Sequence, residues 1–113
     1  MSLQNSLYYI VQSHSTDYTV RFNAAHPVFA GHFPEHPVVP GACLVQIAEE
    51  LATLSLHQPI RLTAIRNLKF RQPVTPEQEV TFALPCDSST IKCQISESAT
   101  FTATYMCLDS DLQ

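Results

Sequence analysis

The chain has 113 residues, 45% of them hydrophobic and 14% charged, with a net charge of −4. That length suits one domain, spanning residues 1–113, built on one core. The acidic balance argues against a nucleic-acid binder, and no apolar stretch is long enough to span a bilayer.

The first fourteen residues (MSLQNSLYYIVQSH) lack the basic region and the small-residue cleavage site of a secretory leader, so a cytoplasmic location is expected. Cys43, Cys86, Cys93 and Cys107 show no metal-type spacing and read as buried free thiols in a reducing compartment. His32 and His36 are four apart, but the prolines between them exclude one helical face, so no metal site is expected.

Residues 7–12 (LYYIVQ) predict a strand, residues 13–16 a turn, and residues 17–23 a second strand that alternates on Tyr18, Val20 and Phe22. A hairpin joins them. Residues 24–40 are irregular, with His26 shaping the loop. Within them, residues 31–40 hold His32, Pro34, Pro37 and Pro40, and each proline stiffens the chain. Gly41 opens a helix over residues 42–56, about 22 Å long. Most of its circumference is apolar. Gln46, Glu49, Glu50 and Thr53 form one narrow polar seam, either a solvent-facing edge or, at its first residue, part of a site.

His57 stands at the helix end. Residues 61–71 read as a strand, residues 72–78 as a turn region. Three alternating strands follow at residues 79–84, 90–96 and 99–107. One apolar helix against one antiparallel sheet is an α+β two-layer domain, and a helix apolar over most of its girth needs the sheet to curl around it.

The chemistry concentrates where the stiff loop delivers the chain to the helix. A helix start carries unpaired N–H groups and the positive end of the macrodipole, where an oxygen that becomes negative can sit. His32 stands just before it. From the residue types alone, a site and a mere packing loop remain equal alternatives.

The stretch GHFPEHPVVPG (residues 31–41) resembles the GHFPxxPxxPG signature of the β-hydroxyacyl-acyl-carrier-protein dehydratases, the FabZ/FabA-like thioester dehydratases. Residues 68–74 (LKFRQPV) resemble their downstream KFRxPV strand. The resemblance covers residues 18–108 and implies the hotdog fold, one long central helix wrapped by a curved antiparallel sheet, dimerised edge to edge. It implies elimination of water from a 3-hydroxyacyl thioester carried on the phosphopantetheine arm of acyl carrier protein. No metal or organic cofactor is called for.

Carried over by position, His32 is the base and Gly41 the N–H donor to the thioester oxygen. The family's acid falls at Gln46, where the family has Glu or Asp. A carboxamide does not titrate, and losing general acid catalysis costs roughly 3–5 kcal/mol of barrier stabilisation. Glu50, one turn on, and Glu49 beside it are the alternative acids. Glu50 aligns with a position commonly Gln in the family, so the two side chains look exchanged.

Phe29, Phe33, Val38 and Val39 are expected to wall the acyl tunnel. Lys69 and Arg71, with Arg66, are expected either to form a solvated strand face or to contact the acidic carrier protein. Four readings follow: a working dehydratase of fatty acid, polyketide or polyene biosynthesis, a weakened subunit of a heterodimer with an active homologue, a hotdog thioesterase, and an acyl-binding module without chemistry. Coenzyme A is the alternative acyl carrier.

Overall fold

The computed structural model describes residues 2–30 and 37–108. Two strands come first, β1 (Tyr8–His14) and β2 (Asp17–Phe22). A short 3₁₀ turn, Pro27–Phe29, precedes helix α1 (Gly41–Leu56). Four strands complete the chain: β3 (Ile60–Phe70), β4 (Glu79–Ala83), β5 (Thr90–Ile95) and β6 (Ala99–Cys107). They form one six-stranded antiparallel sheet in the order β1-β2-β4-β5-β6-β3.

Alternation decides which face of the sheet is covered. Val20 and Phe22 of β2, Val80 and Phe82 of β4, Ile91, Cys93 and Ile95 of β5, and Phe101 and Ala103 of β6 are all buried. They share one core with Leu44, Ile47, Ala48, Leu51 and Ala52 of the helix. This is the expected α+β arrangement of one helix against a curved sheet.

The helix begins where Pro40, at φ −59°, takes the N-cap position. A proline there has no side-chain oxygen to offer, and no side chain caps the helix. It ends at His57, which adopts the left-handed conformation at φ 58° and closes the last turn with its N–H on the Leu54 carbonyl.

Three local features depart from expectation. β1 runs on through His14, so the hairpin closes over the two residues Ser15 and Thr16, with Ser15 at φ 57°. The 3₁₀ turn interrupts the irregular stretch: His26 Nδ1 accepts the Val28 N–H at 3.0 Å and caps it. Cys107 is exposed, whereas Cys93 is buried and Cys43 and Cys86 are partly so.

β3 is the edge strand beside β6, and most of its length is exposed on both faces, including Ile65, Leu68 and Phe70. No helix among the described residues is long and apolar enough to cross a membrane.

If the sheet wraps the helix as described, Ile47→Ala should cost about 2–5 kcal/mol in a urea melt. Leu54→Ala, on the exposed side of the same helix, should stay within about 0.5 kcal/mol. Equal losses would contradict this packing.

Candidate active site

The helix start opens into a cleft of about 300 Å³. Val38, Val39, Gly41 and Leu44 line one side, and Phe70, Pro73 and Val74 the other. The two sides are tied together: the Val39 N–H donates to the Val74 carbonyl at 2.7 Å. The chain before the helix is thereby fastened to the segment after β3. The walls are mostly apolar, with Arg71 and Gln72 also among the lining residues, while the helix start contributes N–H groups that its own carbonyls cannot reach.

At Gly41 an aromatic ring approaches the backbone closely. A Cβ at this position would lie 2.7 Å from Phe70 Cζ and 3.2 Å from Cε2. Phe70 thus stands directly over the first residue of the helix. It lies in the second sequence motif, but the alternation of β3 gave no sign that it faces Gly41.

Residues 9–105 match the family described as "ApeI-like: ApeI dehydratase". The chain belongs to the ApeI-like dehydratases. Curated relatives are 3-hydroxyacyl-[acyl-carrier-protein] dehydratases FabZ. That of the Wolbachia of Brugia malayi is 36% identical over 67 residues, covering 50% of this chain and 44% of the relative. That of Solibacter usitatus is 42% identical over 65 residues, covering 50% and 39%. The matched stretch spans less than half the length of these relatives.

Solved structures share the fold. The dehydratase heterocomplex ApeI:P from Xenorhabdus doucetiae superposes with a TM-score of 0.69 at 17% identity, over 92% of this chain and 99% of that one. A Helicobacter felis homologue of HP0420 gives 0.65 at 16% identity, over 96% and 93%. This ApeI-like chain therefore has the hotdog fold.

Its polar seam is fully engaged. Glu50 Oε2 accepts the Leu3 N–H at 2.8 Å and Gln46 Nε2 at 3.1 Å. Glu50 Oε1 accepts the Tyr8 hydroxyl at 2.9 Å, the Gln4 N–H at 3.1 Å and Ser2 Oγ at 3.2 Å. Burial, and then the hydrogen bond to Glu50, push the Tyr8 phenol up, so it stays protonated and donates. Glu49 Oε2 accepts the Leu62 N–H of β3 at 2.9 Å. Thr53 Oγ1 accepts the Ile60 N–H at 3.3 Å. The seam is not a bare solvent edge. The latch between residues 2–8 and Glu50 joins segments over forty residues apart, and no local pattern announces it.

Other expected residues divide. Val38 and Val39 do line the cleft, but Phe29 is buried in the core and is not part of the cleft wall. His32 and Phe33 lie outside the described residues. Lys69 and Arg71 border a second, shallow groove of about 360 Å³, joined there by Lys92 of β5, which the sequence reading missed. Among the described residues no carboxylate lines it. Arg66 sits on the same strand, in register with Thr102 of the groove. Arg71 borders both the groove and the cleft.

Cys43 and Cys93 are not poised as nucleophiles. Burial raises Cys43, in the first helical turn, and pushes Cys93 up to about 12.

Gly41→Ala would crowd the Phe70 ring. That ring is half-exposed and free to swing outward, and Ala is the better helix former. Stability should therefore change by less than about 1 kcal/mol, while binding of an acyl thioester in the cleft, read by calorimetry, falls. Adding Phe70→Ala should relieve the crowding and restore binding.

Proposed function

We infer that this chain acts on 3-hydroxyacyl thioesters as a dehydratase, removing water to give the trans-2-enoyl thioester, with acyl carrier protein presenting the substrate. The observation that carries the reading is the uncapped helix start at Gly41, set in the floor of an apolar cleft. Membership of a dehydratase family supports it.

In this reading the acyl chain lies along Val38, Val39 and Leu44, and the thioester oxygen meets the Gly41 N–H. His32 takes the C2 proton. Negative charge gathers on the thioester oxygen, where the helix start stabilises it. The electron pair then returns to form the C2–C3 double bond as the C3–O bond breaks, and the hydroxide leaves as water, taking its proton from the protonated His32 or from solvent. The cationic groove at Lys69, Arg71 and Lys92, with Arg66 beside it, receives the acidic carrier protein or the phosphate of its arm. No metal or organic cofactor takes part.

The proton for the leaving hydroxide is the weak point. Gln46 has none to give, and Glu49 and Glu50 already accept hydrogen bonds from the fold. This favours a second reading, in which the chain pairs through its exposed β3 edge with a homologue that supplies the acid. Its structural neighbour from Xenorhabdus is itself a dehydratase heterocomplex.

Mass spectrometry of a 3-hydroxyacyl carrier-protein thioester incubated with the purified chain tests both. The expected result is slow loss of water, reduced by about 10²–10⁴-fold for want of the acid, and abolished by His32→Ala without loss of thermal stability. Activity that appears only when a homologue is added would establish the paired subunit. Release of free acid would make it a thioesterase. Binding without turnover in either case would leave an acyl-binding module.

A further inference from the structure

We propose that the exposed edge of β3 accepts an acidic strand of a different chain and disfavours a second copy of this one. The proposal rests on the paired-subunit reading above and deepens it, but it is read by association and not by turnover.

β3 is paired on one side only, with β6. Residues opposite one another in an antiparallel pair point to the same face. Ile65 stands opposite Ala103 and Phe70 opposite Ala99, and both alanines are buried in the core. Ile65 and Phe70 therefore face the core side of the sheet, yet they are 39% and 53% exposed. The chain's own helix leaves them uncovered. An apolar face beside a free strand edge is a template for a further strand and the layer behind it.

The opposite face carries the charge. Arg61 stands opposite Met106, Arg66 opposite Thr102 and Lys69 opposite Thr100. Those β6 positions alternate with the buried Ala99, Phe101 and Ala103, so they and their β3 partners point away from the core. All three cations are exposed. The sequence is one-sided here too. Four of the six Lys and Arg residues fall within residues 61–71, whereas residues 51–76 hold none of the ten Asp and Glu. The Glu49 carboxylate, which reaches β3 from the helix, already accepts the Leu62 N–H.

A two-fold interface must be self-complementary. It would set Ile60–Phe70 against Ile60–Phe70, and no register of that pair brings a carboxylate to a cation. Three cations from each copy would share one face of the joined strands, and like charges opposed across strands destabilise the pairing. From Arg61 to Lys69 the strand covers about 26 Å, which crowds the doubled set to roughly one Debye length at 0.1 M salt. A strand with Asp or Glu at the facing positions turns each repulsion into an ion pair, while its apolar residues cover Ile65 and Phe70. Lys92 on β5 and Arg71 beyond the end of β3 are left to the carrier protein in the groove.

The probe is the chain itself with its edge charge reversed by Arg61→Glu, Arg66→Glu and Lys69→Glu, its fold checked by thermal melting. Wild type, variant and an equal mixture are compared by native mass spectrometry, and by sedimentation from low to high salt. The mixed dimer should form about tenfold or more tightly than either chain pairs with itself, each exposed ion pair being worth up to about fivefold. Added salt should weaken the mixed dimer and strengthen the wild-type self-pair, because screening acts on attraction and repulsion alike. Should the triple variant not fold, Arg66→Glu alone should show the same order with a smaller gap.

A wild-type dimer that is tight at low salt and indifferent to salt overturns the proposal. So does a statistical mixture of the three dimers, and so do monomers throughout. Absence of turnover from a mixed dimer that does form counts against the catalytic reading and leaves this inference supported.

Discussion

A helix that is apolar over most of its circumference has one stripe it cannot bury, and the fold depends on where that stripe goes. Here it lies across the open side of the curled sheet. Glu50 reaches the N-terminal segment beside β1, while Glu49 and Thr53 reach β3. β1 and β3 are the two edges of the sheet. The polar seam therefore bridges them over the helix. Hydrogen bonds to charged groups contribute about 1.5–3 kcal/mol each, so the Glu49 and Glu50 contacts help to hold both sheet edges to the helix.

That division of labour leaves the helix start without a polar side chain to cap it. Its polar residues serve the middle of the helix, and its first turn carries no acidic side chain. Pro40 supplies no cap, and Gly41 lets Phe70 lie across the opening. An uncapped helix end is a cost in a purely structural element. In a thioester site it is an oxyanion-binding feature, which is why the cleft at Gly41 weighs more than any single side chain in assigning function.

Much of the fold was legible because its signals were local. Tyr18, Val20 and Phe22 alternate in β2, Val80 and Phe82 in β4, and Ile91, Cys93 and Ile95 in β5, and each set is buried as alternation requires. Pro40 and His57 bracket the helix within one residue of expectation. β3 was harder, since an edge strand exposed on both faces has no reason to alternate. β1 outran its expected end because Ser13 and His14 are polar yet pair with Tyr18 and Asp17. In the site, Val38, Val39 and Gly41 were visible in the proline-rich motif. Phe70 over Gly41, Lys92 in the cationic groove and Glu50 on residues 2–8 were not, because each is a contact between distant segments. Phe29, expected beside the acyl chain, is buried in the core cluster.

The most direct test of the account is a crystal structure of the chain with a non-hydrolysable 3-hydroxyacyl pantetheine analogue. The acyl chain should lie between Val38, Val39, Leu44 and Phe70, with the carbonyl oxygen within hydrogen-bond distance of the Gly41 N–H. An analogue bound elsewhere, with the helix start still facing water, would contradict the assignment of this cleft as the thioester site.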